Sequence, residues 1–184
     1  QKWIEEDLFT IDRFLQRYIY PLRREPSEPM SISDPKIDHF LSRIVMEHFQ
    51  KALVFTEYQS TARYLEYRLQ SAIVEGRLNL RFDVTMGGDD QMEGKLDRFA
   101  PLGRNNSELD PQKELDLLVS TDVLSEGVNL QDANLLINFD LPWNPMRIVQ
   151  RVGRVNRIGS ENRVRVLNFV PDEVLERFLN LLNI

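Results

Sequence analysis

The fold of this chain is decided by residues 116–160, which read DLLVSTDVLSEGVNLQDANLLINFDLPWNPMRIVQRVGRVNRIGS. Two short apolar runs, 116–120 and 135–139, are bounded by polar residues, which is typical of strands buried on both faces. An Asn-Pro pair then opens a predicted helix at 145–158, and a glycine follows where that helix would end. Strand, strand and helix in this order predict an α/β fold.

Strand and helix patterns also alternate on either side of this stretch. Predicted strands cover 51–56, 80–84 and 164–170, and predicted helices cover 4–19, 35–45, 60–73, 91–99 and 172–182. This alternation predicts an open, mostly parallel sheet with helices on both faces. Residues 100–114 have few apolar side chains and predict a loop or insertion. We expect residues 1–30 to form an accessory helix and linker, and residues 31–184 to form the main domain.

Composition excludes several classes of protein. With 42% hydrophobic and 28% charged residues, the 184-residue chain has ordinary globular usage, unlike a disordered or fibrous protein. No apolar run approaches the roughly 18 residues needed to cross a bilayer, so we expect no membrane association. Zero cysteines exclude disulfides and thiolate zinc sites and fit a reducing cytoplasm, and only two histidines leave little room for a histidine metal cluster.

The net charge of −6 is unevenly distributed along the chain. The balance is −2 over residues 1–50, −7 over 51–142 and +3 over 143–184. A negative total argues against broad nucleic-acid binding, but the basic last block is a local exception. We therefore expect the chain alone to bind nucleic acid weakly and with strong dependence on salt.

Four arginines concentrate on one side of the predicted helix 145–158. At about 100° per residue, Arg147, Arg151 and Arg154 lie within roughly a 60° arc, and the next arginine lies about 60° beyond it. Within the predicted helix none of them has an acidic residue three or four positions away, although Glu161 lies four positions after the last of them, so we interpret the cluster as an anion site rather than a solvated surface. Gly153 costs about 1 kcal/mol relative to alanine inside a helix, which suggests a close approach to the backbone there.

Several stretches closely resemble motifs of superfamily-two helicases. STDVLSEGVNLQ at 120–131 resembles motif V of the second RecA-like lobe, and QRVGRVNRIGS at 150–160 resembles motif VI, with NFDLPWNP at 138–145 between them. Residues 51–69 resemble motif IV and its helix. The resemblance implies a RecA-like three-layer α/β sandwich with a mostly parallel central sheet, plus the N-terminal accessory helix.

A narrower resemblance is carried by Trp-Asn-Pro at 143–145 together with Arg-Ile-Gly at 157–159. This pair is similar to Swi/Snf-type double-stranded DNA translocases, and bacterial RNA-polymerase-associated members resemble the chain most. The resemblance implies double-stranded DNA, and RNA polymerase or another DNA-bound protein, as partners in the bacterial cytoplasm or nucleoid. One departure is Ser160, which stands where the Swi/Snf pattern usually has glutamine.

The resemblance also implies which residues act on ATP. Arg154 and Arg157 match the arginine fingers, which reach the γ-phosphate held by the first RecA-like lobe. Gln150 matches the residue that links this helix to the hydrolysis site. A finger acts by neutralising charge on the phosphoryl group as it is transferred. ATP and Mg²⁺ are the implied cofactors, and both are bound mainly by the first lobe.

Further positions match binding residues of the family. Gly127 and Asn129 match positions that approach the nucleotide sugar. Thr121 and Thr56 match positions that grip a nucleic-acid backbone. The residues by themselves support this reading only weakly, because many turns at the carboxyl end of a buried strand contain glycine and short polar side chains.

The P-loop and magnesium-binding residues of the first lobe are missing from these 184 residues. In the P-loop-like stretch 88–95 the glycines are six apart, and Leu96 follows the lysine where a Ser or Thr is needed. We therefore expect the chain to be the carboxyl-side lobe of an ATP-dependent translocase or helicase. By itself it should be inactive, and the first lobe of the same protein is its expected partner.

Two alternatives remain open from sequence. The chain could be a non-catalytic RecA-like binding or regulatory module, although that function leaves both motif VI arginines without a use. A magnesium-dependent nuclease could use Asp83, Glu93 and Lys95, since two carboxylates can hold the metal and a lysine can orient water. The sequence does not decide between DNA and RNA, between strand separation and translocation, or among oligomeric states.

Overall fold

The computed structural model describes residues 34–106, 109–125, 127–156 and 163–170. Two single-turn 3₁₀ helices, Pro111–Lys113 and Asp122–Ser125, lie between the main elements. In chain order those elements are α1 (Pro35–Met46), β1 (Ala52–Phe55), α2 (Gln59–Val74), β2 (Phe82–Thr85), α3 (Met92–Phe99), β3 (Leu117–Ser120), β4 (Leu135–Asn138), α4 (Pro145–Val155) and β5 (Arg165–Asn168).

The five strands form one sheet in the order β2-β3-β1-β4-β5, and every pairing among them is parallel. β1 is central, with Ala52 opposite both Leu117 of β3 and Leu135 of β4. All four residues of each of these central strands are buried, as expected for strands covered on both faces. Because the strands are parallel and in register, the segments after β1, β3 and β4 emerge at one edge of the sheet.

An apolar core anchors the sheet, α3 and α4. Val155 of α4 and Phe99 of α3 are fully buried in it, while Val152 packs against it from a partly buried position. Burying apolar side chains of this size contributes about 1.5–3 kcal/mol each. The buried members are Leu53, Phe55, Leu96, Phe99, Ala100, Leu115, Leu118, Leu124, Leu130, Ala133, Leu136 and Val155.

The chain divides into two compact units, and the sheet belongs to the larger one, residues 48–63 and 80–184. The described part of the smaller unit comprises residues 34–47 and 64–79. There Asp34 caps α1, accepting hydrogen bonds from the Lys36 and Ile37 amides through Oδ1. Its Oδ2 accepts from the Tyr64 hydroxyl at 2.8 Å. Burial, together with that hydrogen bond, raises the pKa of Tyr64 to about 12.

The predicted RecA-like α/β class is confirmed, and the structure corrects details of the elements. The last central helix ends at Val155, not at residue 158, because Asn156 takes an extended conformation (φ −105°, ψ 108°) and closes the last turn. Within the predicted loop 100–114 one 3₁₀ turn forms. The predicted helices 4–19 and 172–182 and the boundary after residue 30 lie outside the described residues. Across the described ranges, no helix is long and apolar enough to cross a membrane.

Candidate functional site

Polar residues follow the three central strands at the edge where those strands end. Thr56 directly follows β1, Thr121 directly follows β3, and Asp140 lies two residues beyond β4. Parallel pairing continues past the strands, since the Thr56 amide donates to the Ser120 carbonyl at 3.0 Å and the Phe139 amide to the Phe55 carbonyl at 2.8 Å. This edge is where ligands bind in open parallel sheets.

The turn after β3 is tied to α4 by two arginines. Asp122 begins that turn, and its Oδ1 accepts from Arg151 Nε at 2.8 Å while its Oδ2 accepts from Arg147 Nη1 at 2.9 Å. Arg147 Nη1 also lies 4.0 Å from Glu57 Oε1. We call Asp122, Arg147, Arg151 and Arg154 the α4 site.

Arg151 is the largest fully buried side chain of the described chain, at 0% exposure. Its Nη1 donates to Asn138 Oδ1 at 2.9 Å and to the Asp140 carbonyl at 3.2 Å. Its Nη2 lies 2.7 Å from Asp122 Oδ1 in an ion pair whose angle falls outside hydrogen-bond geometry. The guanidinium also lies over the Phe55 ring, 4.9 Å from its centroid. A charge buried this deeply is stable only with such partners.

These contacts correct the interpretation of the arginines as one anion site. Arg147 and Arg151 both pair with Asp122, which is 25 and 29 residues away in sequence. Helical spacing identifies only partners on the same helix. Helical spacing therefore cannot identify Asp122, which lies on a turn that the fold places beside α4. Two of the four arginines are therefore already paired within the chain.

Arg154 differs from its neighbours on α4. Its Nε is buried and has no hydrogen-bond partner among the described residues. No carboxylate within those residues forms an ion pair with it, although the Leu130 amide donates to its backbone carbonyl at 3.0 Å. Buried donors are nearly always satisfied in folded proteins, so this one is available to a water molecule, a ligand or a residue outside the described ranges.

An exposed face of α4 borders Arg154. At about 100° per residue, Met146, Val149, Gln150 and Gly153 span roughly 100° of the helix surface, and Arg154 lies about 40° further round. All four are exposed, and Trp143, 75% exposed, stands just before the helix. A Cβ at Gly153 would meet nothing within 4 Å in the part of the chain that the structure describes. If anything approaches this glycine closely, it therefore comes from outside the described residues.

Gly127 and Asn129, the predicted sugar-contacting pair, lie in the segment after the Asp122 turn. Gly127 is exposed and has φ +79°, a conformation that favours glycine. Asn129 Nδ2 donates to the Gly103 carbonyl at 3.0 Å, and Asp132 accepts from the Gly103 amide at 2.7 Å. Asn129 therefore already has a structural task, which is to hold the loop that follows α3.

The two predicted nucleic-acid contacts are buried in the described chain. Thr56 is 0% exposed, and its hydroxyl donates to Asp140 Oδ2. A phosphate can only accept, so a hydroxyl contact from Thr56 to a phosphate requires this hydrogen bond to exchange. Thr121 is 7% exposed, and its amide donates to the Thr85 carbonyl at 3.3 Å. Both roles stay predictions.

The residues of the nuclease alternative are engaged in ion pairs. Lys95 Nζ donates to Asp89 Oδ2 at 2.9 Å and lies 3.3 Å from Asp83 Oδ1, while Glu93 pairs with Arg104. No group of three or more carboxylates or histidines within the described ranges could hold a metal ion. We call Asp83, Asp89, Lys95 and Arg98 the β2 cluster, since Arg98 also pairs with Asp83.

The fold thus brings Arg154, Gln150 and the Asp122 turn to one region, while Arg157 lies outside the described residues. The residue that sequence reasoning missed is Arg151, which was grouped with the anion site but is a buried structural centre. One signal was available: at about 100° per residue, Arg151 lies roughly 40° from Val155, on the side of the apolar face.

Known proteins resemble the chain over much of its length. A profile for the helicase conserved C-terminal domain matches residues 35–159. The uncharacterized ATP-dependent helicase YqhH of Bacillus subtilis (strain 168) is 42% identical over 66 residues, which cover 36% of this chain and 12% of that protein. The RNA polymerase-associated protein RapA of Vibrio vulnificus (strain YJ016) is 41% identical over 68 residues, or 35% of this chain and 7% of that protein.

Solved structures share the fold. The C-terminal part of the Fun30 ATPase domain has a TM-score of 0.62 at 19% identity, covering 98% of this chain and 57% of that one. The C-terminal domain of the DEAD-box protein Dbp5 has a TM-score of 0.54 at 20% identity, covering 78% of each chain. The chain spans only 12% and 7% of the length of the two relatives named above, so it corresponds to a small part of each.

Proposed function

The chain belongs to the helicase conserved C-terminal domain family, and on that premise we propose that, as the second RecA-like lobe of a superfamily-two, Swi/Snf-type helicase, it completes an ATP-dependent nucleic-acid translocase. In this proposal the chain supplies the arginines that act on ATP, together with contacts to the nucleic-acid backbone. The P-loop lobe supplies the rest of the ATP site and belongs to the same protein.

The observation that carries the proposal is the buried, unpartnered Nε of Arg154. It lies on the one arginine of the described helix that no carboxylate neutralises, whereas Arg147 and Arg151 share Asp122. An arginine with unused donors suits an anion that arrives from outside the chain. We propose that this anion is the γ-phosphate of ATP, whose charge the guanidinium stabilises as the phosphoryl group moves to water.

The residues around Arg154 fit a nucleotide only in part. Gln150 is exposed on the same side of α4 as Arg154. The backbone of Gly127 is accessible, and Asn129 lies two residues after Gly127 in sequence. In this proposal Mg²⁺ is held by the first lobe. We propose that Arg157 acts as the second finger, on the strength of its match to motif VI.

The exposed face of α4 fits contact with the first lobe. Trp143, Met146 and Val149 are 75%, 58% and 60% exposed, although they adjoin a buried helix face. Large apolar side chains grouped in this way mark interaction surfaces more often than scattered ones do. A lobe that covered this face would bring its ATP phosphates beside Arg154.

For the nucleic-acid partner we propose double-stranded DNA, gripped in part by Thr121 and Thr56. The similarity to RapA, whose name describes an RNA polymerase-associated protein, supports a DNA-bound polymerase as a further partner. The overall charge of −6 means that the lone lobe offers little general attraction for a phosphate backbone.

The first test separates this proposal from a self-sufficient enzyme or a binding module. The purified 184-residue chain should release no phosphate from ATP above a buffer control, because nothing in it cradles the β- and γ-phosphates. The full-length protein should hydrolyse ATP, and nucleic acid should stimulate it. Turnover by the chain alone contradicts the half-motor assignment, and a full-length protein without ATPase favours the non-catalytic module.

A further inference from the structure

All three nitrogens of the Arg151 guanidinium contact other groups of the chain itself. Nε donates to Asp122, Nη1 donates to Asn138 and to the Asp140 carbonyl, and Nη2 lies against Asp122. Its side chain is 0% exposed. Arg151 therefore cannot bind ATP or nucleic acid itself, unlike its neighbour Arg154.

The free energy of folding by itself does not explain a buried arginine of this kind. Removing a charge from water costs several kcal/mol, and well-packed apolar residues often replace buried ion pairs with no loss of stability. What the charge and its planar fork provide is a specific arrangement of the groups around them. Such an arrangement matters most where a neighbouring group must be aimed accurately.

Three chain segments meet at this guanidinium. Asp122 belongs to the turn after β3, Asn138 is the last residue of β4, and Arg151 itself lies in the middle of α4. Arg154 follows Arg151 by three residues on the same helix, about 60° round its axis. Together with Val155 in the core, Arg151 fixes the rotation of α4, and with it the direction in which Arg154 points.

We propose that Arg151 is a positioning residue for ATP turnover: held by Asp122, Asn138 and the Asp140 carbonyl, it aims Arg154 at the transferring phosphoryl group. This inference rests on the proposed function. Lysine cannot reproduce the arrangement, because one ammonium cannot span partners that the guanidinium meets through three separate nitrogens. Displacing a catalytic group by about 1 Å can lower a rate by about 100-fold.

The test uses Arg151→Lys in the full-length protein, with steady-state ATPase kinetics and thermal unfolding. We expect kcat to fall by roughly 10–100-fold while KM for ATP stays within about twofold and the folded fraction at the assay temperature is unchanged. Asp122→Asn should lower kcat similarly. The double variant should lose little more than the worse single variant, because both changes break one interaction.

Arg98→Lys is the matched control, since Arg98 also pairs with a carboxylate, Asp83, but is 41% exposed and lies outside the α4 site. It should change kcat by less than about twofold, as exposed ion pairs contribute little. Hydrogen exchange of the α4 amides provides a readout that needs no activity, and Arg151→Lys should raise their exchange while the β1 and β3 amides keep theirs.

The outcomes distinguish failure of this inference from failure of the proposed function. If Arg154→Ala abolishes turnover but Arg151→Lys leaves kcat and α4 exchange at wild-type values, the positioning role is wrong and the motor assignment stands. If Arg154→Ala also keeps full turnover, the proposed function itself fails. A parallel loss of kcat, ATP affinity and melting temperature in Arg151→Lys would show a purely structural role and would overturn the inference.

Discussion

The α4 site and the β2 cluster are both rich in charge, but they differ in how their charges are satisfied. In the β2 cluster Lys95 pairs with Asp89 and Asp83, and Arg98 pairs with Asp83. In the α4 site one buried donor, Arg154 Nε, has no partner among the described residues. In the proposed function it is this donor, and not the number of charges, that distinguishes the α4 site from the β2 cluster.

The pKa shifts of Asp89 and Lys95 are those expected of groups that are ion-paired with each other in the β2 cluster. Burial by itself would raise the pKa of Asp89, but hydrogen bonds from Lys95 and the Gln91 amide outweigh it and hold that pKa below its usual value. Burial by itself would lower the pKa of Lys95, and its pairing with Asp89 and Asp83 raises it instead. Each partner keeps the other charged, which leaves neither group suited to general acid or base catalysis near neutral pH.

The largest effect should come from Arg154→Ala in the full-length protein. An arginine finger stabilises charge that develops in the transition state, so we expect kcat to fall by about 10³–10⁵ while ATP affinity is largely retained. Steady-state ATPase kinetics with a separate nucleotide-binding titration would measure both. Arg157→Ala should behave in the same way if it is the second finger.

Arg163→Ala is the control for the finger variants, because Arg163 is exposed and outside the motif. It should alter stability by about 0.5 kcal/mol or less and leave turnover near wild type. Near-native ATPase in all three variants would mean that α4 is not part of the catalytic site. The α4 site would then not differ in function from the β2 cluster.

Two glycines, one in α4 and one in α3, allow a second comparison between the α4 site and the β2 cluster. Gly153 lies in α4 and Gly94 in α3, and a Cβ at either position would meet none of the described residues within 4 Å. Alanine should therefore raise stability by roughly 0.5–1 kcal/mol at both. Because Gly153 lies on the face proposed to contact the first lobe, Gly153→Ala should also lower full-length kcat by roughly 10–100-fold.

Gly94→Ala should leave kcat unchanged, and urea unfolding with ATPase assays on the pair would show the difference. Equal, unchanged turnover in both variants would mean that nothing approaches the α4 backbone. The glycine in motif VI would then have no role in contact between the lobes.

The sequence predicted the fold well because its strongest signals are local. Apolar runs of four or five residues predicted β1, β3 and β4, and Asn144 with Pro145 predicted the start of α4. The end of that helix was predicted three residues too late, because glycine at 159 was taken as its terminus while Asn156 leaves the helical conformation first.

The site was less predictable because its contacts are not local. Arg151 meets Asp122 and Asn138, which lie 29 and 13 residues away, and only the sheet brings the turn and the strand end beside α4. The family resemblance indicated Arg154 but did not reveal that Arg147 and Arg151, on the same helix, both pair with Asp122. Asn129 shows the converse, since its match to a nucleotide contact gave no hint of its bond to the Gly103 carbonyl.

The smallest effect should come from Asp89→Asn in the β2 cluster, which should cost about 0.5–1 kcal/mol of stability near neutral pH and leave turnover unchanged. The lowered pKa of Asp89 means that its contribution is complete above its unfolded value of about 3.9 and is lost as pH falls through the folded value. Lys95 has a raised pKa, so its contribution is complete below about 10.4 and is lost as pH rises through its folded value. The difference between wild type and variant, measured by urea unfolding, should therefore be constant from about pH 5 to 9 and shrink below about pH 4. Asp90→Asn, at an exposed neighbouring position, is the control and should change the free energy of unfolding by about 0.5 kcal/mol or less. A stability difference that grew on acidification, or a loss of ATPase in Asp89→Asn, would mean that the β2 cluster is not the closed structural element that its ion pairs indicate.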